Sequence, residues 1–493
     1  MDALSDWLSA QNLSIAEKDG RGRCLTALKP FRPGQVVLRV SPYVAVLESQ
    51  ATVCDFCSKI QELSLKRCSY CKLARYCSTE CQRSAWKGGH AAECGILTAL
   101  RKQQRVPPPS LQLMLRALLK RARQRSKGEP VEPWDQPELI EGLETHRADL
   151  SQERLVQLSQ MAALLSSFTP KECFASVEEI VGLLAAMSCN AHTICDPEVR
   201  TVGKGIFPVI AMANHSCTPN AVLLFEGTMG VLRCTAEVAP GEELCISYVD
   251  LAAPAVVRKR ELQAGYYFDC RCPRCEAATA PGGSGEDATL GGFPCSACRD
   301  GATVPVEQPA TSSMRTCQLC GHQAEYSSQE AAATSAGAMA EEASALRASG
   351  DAGEGMRKCQ AALGLVERTK CSTAGGAVRM KVNDELMSCC LHAQDWSSAR
   401  NACRAALPAY LVAYKVHEGP LLGLQYYTLG KIEWYLGNVS AAVGALREAC
   451  RVLSVTHGEG HRLVCDVRQL LSEAEASLRH DQAAENAESR LDN

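Results

Sequence analysis

Short runs of β-prone residues, separated by turn residues, characterise the middle of the chain. The runs cover residues 221–225, 231–238 and 244–248, with turns at Gly227 and at Pro240-Gly241 between them. A further β-rich run at 35–47 follows Pro33-Gly34. We therefore predict small antiparallel sheets, in which the last strand brings Tyr248 back toward the segment that precedes residue 221.

Helical periodicity dominates two other stretches, residues 95–188 and 327–493. Apolar residues in the first stretch recur every three or four positions, as the buried face of a helix requires. Two such stripes consist of Leu111, Met114, Leu115, Leu118 and Leu119, and of Leu155, Leu158, Met161, Ala162 and Leu165. In the second stretch, residues 396–420 resemble residues 439–461 at an offset of about 40 residues, which is typical of stacked helical hairpins. We predict a helical domain of the tetratricopeptide type there, with a groove for a peptide or for shielding a site.

The composition excludes several classes of protein. The 493 residues carry a net charge of −3, so no overall charge attracts nucleic acid or an anionic membrane. No apolar run approaches the roughly 20 residues that span a bilayer. The first ten residues include Asp2 and Asp6 and lack the basic start and apolar core of a signal peptide. We expect a monomer of the nucleus, the cytoplasm or both, without membrane contact. In such a reducing compartment, the Cys-x-x-Cys pairs among the 28 Cys residues indicate zinc rather than disulfides.

Many of these cysteines have the spacing of zinc ligands. Seven Cys and one His supply two tetrahedral sets, at Cys54-x2-Cys57, Cys68-x2-Cys71, Cys77-x3-Cys81 and His90-x3-Cys94. With so little apolar material between the pairs, this module should fold only as it binds metal. Cys270, Cys272 and Cys275 form an incomplete site whose fourth ligand must come from elsewhere. After a Gly/Ala/Ser-rich linker at 276–293, Cys295-x2-Cys298 and Cys317-x2-Cys320 have zinc-ribbon spacing, which predicts a further ion.

Two polar motifs flank the predicted strands. Asn-His-Ser-Cys-Thr-Pro-Asn at 214–220 is dense in side chains that bond their own backbone, which predicts a tight polar loop. Gly-Glu-Glu-Leu-Cys-Ile-Ser-Tyr follows at 241–248. A hairpin with a polar turn would explain either motif alone but not both in this order. Together they resemble the SET domain, the lysine-methyltransferase fold in which an Asn-His segment and a Tyr-bearing strand come together in a knot-like crossing.

The Cys/His segment resembles the MYND zinc finger in the spacing of every pair. The resemblance implies interleaved ligands, so that one ion is held by Cys54, Cys57, Cys77 and Cys81 and the other by Cys68, Cys71, His90 and Cys94. It also implies a proline-rich peptide as a partner. Direct contact with nucleic acid is disfavoured, because the basic residues of this segment are not interleaved with stacking aromatics.

The chain as a whole resembles the SET and MYND domain family of protein-lysine methyltransferases. The Cys-Asn-Ala-His run at 189–192 and the ribbon suggest a plant-type relative. The implied fold class is α+β and multidomain, with a β-rich SET fold split by a MYND finger, a post-SET zinc site and an all-α C-terminal domain. The implied domains are the SET N-terminal part (1–50), MYND (51–94), a helical insert (95–188), the catalytic core (189–252), the post-SET segment (253–276), the linker with the ribbon (277–326) and the helical domain (327–493).

The resemblance also implies roles for individual residues. S-adenosylmethionine is the implied methyl donor, and its implied contacts are Arg21, Gly22, Arg23, Asn190, Asn214, His215, Tyr248 and Phe268. The implied catalytic residues are Tyr248, through its hydroxyl, and Tyr266, both lining an apolar channel for the substrate lysine. The post-SET zinc takes Cys217 as its fourth ligand beside Cys270, Cys272 and Cys275, and clamps Tyr266 and Phe268 over the residues that adjoin Asn214 and His215. His192 stands beside the channel, where the family often has Phe, and its role is left open.

We predict a protein-lysine N-methyltransferase of the histone-lysine type, acting on histones, on other proteins or on both. The rival hypothesis is a non-catalytic scaffold that recruits partners through MYND and the helical repeats, but Asn214, His215, Tyr248 and the post-SET cysteines are all retained. A zinc-dependent hydrolase would need an open metal position, whereas the thiolate sets are complete. We interpret Arg258-Lys259-Arg260 as the surface of a short helix at 256–264 rather than as a nuclear signal.

Overall fold

The computed structural model describes residues 2–48, 52–59, 65–127, 131–174, 176–279, 285–306, 313–414 and 418–491. The chain divides into two compact units, each built from more than one stretch of sequence. The first unit contains Met1–Asn214, Asn220–Ile246 and Gln263–Phe268, and the second contains His215–Pro219, Ser247–Leu262 and Asp269–Asn493. Within the described stretches, no helix has both the length and the apolar character needed to cross a membrane.

Strands and helices alternate irregularly in the first half of the chain. In order they are α1 (Asp2–Ala10), β1 (Leu13–Lys18), β2 (Gly22–Ala27), β3 (Val36–Val40), β4 (Val44–Leu47), β5 (Lys66–Arg67), β6 (Arg75–Tyr76), α2 (Thr79–Ala85), α3 (Ala91–Lys102), α4 (Pro109–Lys127), α5 (Pro137–Glu141), α6 (Gln152–Phe168), α7 (Val177–Asn190), β7 (Ala191–Cys195), β8 (Thr201–Ile206), β9 (Asn214–His215), β10 (Ala221–Glu226), β11 (Met229–Cys234) and β12 (Cys245–Ile246).

Helices dominate the remainder. In order the elements are α8 (Ala255–Tyr266), α9 (Pro273–Thr279), α10 (Gly285–Gly291), β13 (Thr303–Pro305), β14 (Met314–Cys317), β15 (Gln323–Glu325), α11 (Ser327–Ala348), α12 (Ala352–Thr369), α13 (Ala377–His392), α14 (Trp396–Tyr414), α15 (Pro420–Tyr435), α16 (Val439–Thr456) and α17 (Arg462–Leu491). The three strands form a small antiparallel sheet, in which β13 follows the first cysteine pair of the predicted ribbon, β14 ends at Cys317 and β15 follows Cys320.

The strands of the first unit form small antiparallel sheets. β1 and β2 make a hairpin, and β10, β11 and β3 form a three-stranded sheet in that order. The turn between β10 and β11 passes through Gly227 at φ +68°, a conformation that glycine adopts at little cost. β8 lies between β4 and β7 in another three-stranded sheet. The strand runs predicted at 35–47 and 221–225 are confirmed as β3, β4 and β10, whereas β11 covers only the first half of the run predicted at 231–238 and ends at Cys234.

The last predicted strand is shorter than the sequence indicates. β12 covers only Cys245–Ile246, and Tyr248 lies beyond its end. The side chain of Ser247 accounts for the difference, since its hydroxyl donates to the carbonyl oxygen of Val249 at 2.7 Å and lies 3.4 Å from the Val249 nitrogen. Such local bonds compete with a strand ladder. A turn rather than a strand therefore presents Tyr248.

The Cys/His segment has little core besides its own metal ligands. Its buried cluster consists of Cys54, Leu65, Cys68, Cys71, Ala74, Tyr76, Cys94 and Leu97. Leu65, Tyr76 and Leu97 supply the large apolar side chains of this cluster, and cysteines supply much of the rest. Metal binding and folding are therefore expected to be one event in this segment.

Helices α4, α6 and α7 form the core of the region predicted to be a helical insert. The α4 stripe is buried, with Leu111, Met114, Leu115 and Leu118 each at most 3% exposed. These side chains share one apolar cluster with residues of α6, such as Leu158 and Leu165, and of α7. The helices predicted between residues 95 and 188 are confirmed.

Pairs of consecutive helices build most of the second unit. α11 packs on α12, α13 on α14 and α15 on α16, and each pair also contacts the next helix along the chain. Alanines at the interfaces, including Ala336, Ala362 and Ala399, are completely buried, and such small side chains let neighbouring helices approach closely. The predicted helical C-terminal region is confirmed.

The linker predicted at 276–293 is wrong for the part of it that the structure describes, which omits 280–284. α9 ends within this segment, and α10 covers Gly285–Gly291. Asp287, Ala288 and Leu290 of α10 are all buried. The Gly/Ala-rich composition gives no sign of this helix, because tertiary contacts rather than intrinsic propensity stabilise it.

The basic run at 258–260 is not uniformly exposed. α8 covers Ala255–Tyr266 and so includes the predicted helix at 256–264. Arg258 is 0% exposed, and its guanidinium pairs with Asp287 of α10 at 2.7 Å. The prediction of a surface run is therefore wrong for Arg258, because a carboxylate further along the chain makes its burial tolerable.

Candidate active site and zinc centres

Asn214 joins distant segments of the first unit. Its side-chain nitrogen lies 3.2 and 3.3 Å from the carbonyl oxygens of Arg21 and Arg23, and 2.9 Å from the Glu243 carboxylate. Glu243 is only 6% exposed and pairs with both Arg21 and Lys18 at 3.3 Å. Asn214 therefore connects the N-terminal Gly-Arg-Gly turn to the glutamate of the second motif.

His215 and Tyr248 meet in the second unit. The backbone N–H of Tyr248 donates to His215 Nδ1 at 3.0 Å, and the two ring centroids are 5.4 Å apart. Because Nδ1 accepts this bond, a neutral His215 carries its proton on Nε2, which lies 3.3 Å from Cys217 Sγ. The tyrosine of the second motif is thus bonded directly to the histidine of the first.

The turn that carries Arg21, Gly22 and Arg23 is exposed. Gly20 and Gly22 have φ values of +69° and +65°, and a Cβ added at either would meet no atom within 4 Å. Backbone conformation rather than close packing therefore requires glycine here. Arg21 also donates to Cys245 Sγ at 3.5 Å, which brings it to a second residue of the 241–248 motif.

Asn190 and His192 lie at the junction of α7 and β7. The Asn190 amide donates to the carbonyl oxygens of Ala186 at 2.7 Å and Glu144 at 2.9 Å, which fixes the end of α7. The His192 ring packs edge-on against Phe207, with centroids 5.8 Å apart. Burial lowers the pKa of His192 to about 4, so its imidazole is neutral at pH 7.

Tyr266 and Phe268 lie at the end of α8 in the first unit, and both are half-buried. Burial raises the pKa of Tyr266, so its hydroxyl keeps its proton at neutral pH. Tyr267, between them, has a left-handed backbone at φ +60°, and its ring lies 5.3 Å from that of His146. This sharp turn ends the helix just before the cysteines that begin at Cys270.

Among the described residues, four sets of side chains each bring four ligand atoms within 4.8 Å of one another. The sets are Cys54, Cys57, Cys77 and Cys81; Cys68, Cys71, His90 and Cys94; Cys217, Cys270, Cys272 and Cys275; and Cys295, Cys298, Cys317 and Cys320. These are the groupings that the sequence analysis expects, including the interleaved pairs of the MYND segment.

The spacing of the ligand atoms fits zinc. Four thiolates at about 2.3 Å from a tetrahedral ion lie about 3.8 Å from one another. Representative sulfur separations are 3.6 Å for Cys57 and Cys77, 3.8 Å for Cys68 and Cys94, 3.6 Å for Cys217 and Cys275, and 3.7 Å for Cys298 and Cys317. Each set would therefore hold one structural ion with its coordination complete.

Two residues that are not ligands, Glu93 and Arg116, hold the histidine of the second ligand set in place. His90 Nε2 lies 3.7 Å from Cys71 Sγ, while its Nδ1 lies 3.0 Å from Glu93. Burial alone would raise the pKa of Glu93, but Arg116 and His90 outweigh it and lower this pKa to about 2. Arg116 holds the carboxylate with two bonds of 2.8 Å. A carboxylate on the outer nitrogen orients a metal-binding imidazole. Neither Glu93 nor Arg116 is among the residues predicted from the sequence, although the i,i+3 spacing of His90 and Glu93 is an available signal.

Comparison with known proteins decides the family. Residues 54–94 match the family model of the MYND finger. The sequence is also 32% identical to histone-lysine N-methyltransferase ASHR1 of Arabidopsis thaliana, over 98% of this chain and 100% of that protein. The chain belongs to the SET and MYND domain family. Its mixed α+β structure, MYND finger, cysteine-rich zinc sites and helical C-terminal region confirm the predicted fold class.

Animal members of the SET and MYND domain family are similar as well. Histone-lysine N-methyltransferase SMYD3 of Mus musculus is 27% identical over 93% of this chain and 96% of that protein. N-lysine methyltransferase SMYD2 of Sus scrofa is 28% identical over 91% and 95%. The identity to the plant protein exceeds both values, in agreement with the prediction of a plant-type member. A structure of Rubisco LSMT bound to AdoMet aligns over 97% of this chain and 93% of that chain, at 14% identity and a TM-score of 0.33, a likeness too weak to add to the argument.

Proposed function

We propose that this protein is an S-adenosylmethionine-dependent protein-lysine N-methyltransferase. Its relatives in the SET and MYND domain family are named as lysine methyltransferases. The observation that carries the proposal is the bond from the Tyr248 backbone N–H to His215 Nδ1 at 3.0 Å. Separate hairpins would leave these two motifs apart, whereas a direct bond supports a single site built from both.

We assign donor binding to Arg21, Gly22, Arg23, Asn190, Asn214, His215, Tyr248 and Phe268. When bound, S-adenosylmethionine supplies a methyl group on a sulfonium sulfur, which an amine can take by in-line displacement. The bonds from Asn214 to the carbonyl oxygens of Arg21 and Arg23 support the assignment, since they hold that turn in one conformation. The open space around Gly22 leaves its backbone accessible to a ligand.

The acceptor nitrogen must be neutral to attack, whereas a free lysine has a pKa of about 10.4 and is therefore charged at neutral pH. Apolar surroundings lower that pKa because they disfavour the charged form, and aromatic faces still attract a partly positive nitrogen. We assign this environment to Tyr248 and Tyr266, with the main catalytic role on the Tyr248 hydroxyl. The raised pKa of Tyr266 supports the assignment, because a protonated phenol adds no negative charge that would stabilise a lysine ammonium.

The substrate we propose is a lysine in a histone or another protein, and the MYND finger is proposed to bind a proline-rich peptide. Exposed aromatic rings in the MYND segment support a peptide partner, since Tyr70, Trp86 and Phe56 are 66%, 46% and 43% exposed. We further propose that the protein is a monomer and works in the nucleus, the cytoplasm or both, without direct contact with nucleic acid or membrane.

Transfer of tritiated methyl from S-adenosylmethionine to a panel of histones and cell extract tests the function. We expect label on lysine with wild-type protein, and a loss of about 100-fold or more with Tyr248→Phe, because a positioned catalytic hydroxyl contributes on that scale. Tyr435→Phe is the matched control, since Tyr435 lies on α15 with 64% exposure and should leave the rate unchanged.

Zinc content and donor binding are measured on the same samples by elemental analysis and calorimetry. Label that depends on Tyr248 supports the proposal and shows the class of substrate. Wild-type protein that binds donor and carries its full zinc yet transfers nothing across the panel contradicts the proposal and favours the scaffold hypothesis.

A further inference from the structure

Arg258 is a completely buried arginine whose donors face the Asp287 carboxylate, a backbone carbonyl and two cysteine sulfurs, with Nη2 3.9 Å from Cys275 Sγ. Its Nη1 and Nη2 donate to the two carboxylate oxygens of Asp287 at 2.7 and 3.1 Å, and Nη1 also reaches the carbonyl oxygen of Ala253 at 2.7 Å. Its Nε–H points the other way, to Cys217 Sγ at 3.2 Å. The side chain therefore joins α8, α10 and the Asn-His loop within the second unit.

The sulfur that Arg258 contacts belongs to a complete set of metal ligands. Cys217 lies with Cys270, Cys272 and Cys275 in the group described above, and all four are buried. A neutral thiol is a weak acceptor for a buried guanidinium N–H, whereas the thiolate of a metal-bound cysteine is a strong one. An Arg258 donor aimed at a weak acceptor would leave a buried charge poorly satisfied, at considerable cost.

Asp287 is the anchor of this arrangement. It is 7% exposed, it binds Arg258 through both oxygens, and it lies 3.4 Å from Nε of Arg274, a second buried arginine. A bidentate carboxylate fixes the plane of a guanidinium, and so fixes the direction of the remaining Nε–H. Asp287 therefore sets the orientation in which the Nε–H of Arg258 donates to Cys217 Sγ.

We propose that Arg258, oriented by Asp287, is a positioning residue of the zinc site formed by Cys217, Cys270, Cys272 and Cys275. The guanidinium offsets part of the negative charge that four thiolates bring to one Zn²⁺ and holds Cys217 in the direction that ligation requires. The same cysteine lies 3.3 Å from His215 Nε2, and His215 binds Tyr248, so Arg258 also braces the loop of the proposed active site. Neither role is visible in the sequence, where Arg258 is one of three adjacent basic residues.

Site-resolved alkylation tests the proposal. Full-length protein is treated with iodoacetamide, and modification of each cysteine peptide is followed over time by mass spectrometry, which reports each of the four ligand sets separately. In Arg258→Met we expect the set with Cys217 to react about 10-fold faster or more, since loss of an outer partner weakens metal sites on that scale. The two MYND sets and the set from Cys295 to Cys320 should react at the wild-type rate.

Matched variants separate positioning from general stability. Arg260→Met alters an exposed arginine of the same helix and should change no rate. Arg258→Lys keeps the charge but not the planar fork, so its rate should lie between wild type and Arg258→Met. Asp287→Asn keeps the side-chain volume but removes the charged carboxylate that fixes the Arg258 guanidinium, and it should accelerate alkylation of the set with Cys217 only. This variant tests the same proposal if Arg258→Met does not fold. Equal acceleration of all four sets, or wild-type rates in both Arg258→Met and Asp287→Asn, overturns the proposal.

Discussion

Glu243 shows how a buried carboxylate can hold an exposed turn in place. Its side chain is 6% exposed, and the two cations that pair with it, Lys18 and Arg21, are each about two-fifths exposed. Solvent screens such half-exposed pairs, so their contribution to overall stability is small. Their effect is local, because the pair with Arg21 and the bond from Asn214 restrain the turn that we assign to donor binding.

Glu243→Gln should weaken donor binding without unfolding the protein. The amide keeps an oxygen for Asn214 but removes the charge that holds Arg21. We expect the dissociation constant for S-adenosylmethionine, measured by calorimetry, to rise about 2- to 5-fold, because a screened, half-exposed ion pair is worth at most about 1 kcal/mol. Glu226→Gln is the control, since Glu226 pairs with Arg39 in an exposed ion pair. An unchanged constant for Glu243→Gln would contradict the assignment of Arg21 to the donor.

Asp384 makes the stability of the second unit depend on pH. It accepts a bond of 3.0 Å from the Tyr410 hydroxyl, and burial, reinforced by Asp250, raises its pKa to about 7. An aspartate in the unfolded chain has a pKa of about 3.9. Between these values the folded protein keeps a proton that the unfolded chain has lost, so the free energy of unfolding falls as pH rises from about 4 to about 7.

Asp384→Asn should remove this pH dependence, because the amide has nearly the same shape as the carboxyl group and does not titrate between about pH 4 and about pH 8. Relative to wild type, we expect its melting temperature to gain about 5 °C between about pH 5 and about pH 8, followed by circular dichroism. Asp466→Asn, at an exposed position of α17, is the control and should follow the wild-type curve. Parallel curves for wild type and Asp384→Asn would refute the interpretation.

The role of a single residue can be predicted from the sequence where a local spacing pattern identifies it. The spacing of Cys54, Cys57 and the later cysteines identifies them as zinc ligands. The family resemblance then supplies the pairing of these ligands into sets. Arg258 and Arg116 escape prediction for a common reason: their ion-pair partners, Asp287 and Glu93, lie more than twenty positions away in the sequence. No local pattern connects such residues.

Strand β8 is packed too closely for a side chain at two of its positions. A Cβ added at Gly203 would lie 2.4 Å from the carbonyl oxygen of Val46 and 2.8 Å from Cα of Leu47. One added at Gly205 would lie 2.8 Å from the Phe207 ring. The two nearest atoms to such a Cβ at Gly203 are backbone atoms of the paired strand β4, which cannot rotate away.

Gly203→Ala should therefore destabilise the first unit by about 2–4 kcal/mol, since the β4–β8 ladder must shift to admit the methyl group. The matched control is Gly182→Ala in α7, where a Cβ meets no atom within 4 Å. There we expect a gain of about 0.5–1 kcal/mol from higher helix propensity. Urea denaturation measures both changes. Equal effects of the two substitutions would show that β8 can relax around the added methyl group.

Elements with a strong periodic signal are predicted well, and short elements held by distant contacts are not. The apolar stripe of α4 marks a long amphipathic helix that would form in many contexts. α10 is a helix of seven residues that begins and ends with Gly, and it is held by the pairing of Asp287 with Arg258. β12 stops early because Ser247 bonds the backbone of Val249, a competition that β propensity does not register.

At the scale of the whole molecule, the described residues supply four ligand sets suited to zinc, and these sets differ in their relation to the residues of the proposed active site. The set with Cys217 shares a loop with His215, which binds Tyr248. The set from Cys295 to Cys320 lies beside the β13–β15 sheet, where its near neighbours include Gly301 and Leu319.

Cys272→Ser and Cys298→Ser should each lose one zinc ion per chain by elemental analysis, but with different effects on activity. We expect Cys272→Ser to abolish methyl transfer, because Cys217 then loses the metal that fixes the His215 loop. Cys298→Ser should retain at least about half of the wild-type rate, since no ligand of its set lies on the loop that carries His215. Transfer assays on both variants check this, and equal loss would show that the ribbon supports catalysis as well.

The position of Cys217 in the chain has a consequence for synthesis. It lies in the short stretch His215–Pro219 of the second unit, between long stretches that belong to the first. On the ribosome, both MYND sets can bind metal once Cys94 has emerged, whereas the set with Cys217 is complete only after Cys275 has emerged. A nascent chain that stops before Cys275 therefore lacks a ligand of the set next to His215, and this set must be the later one to form.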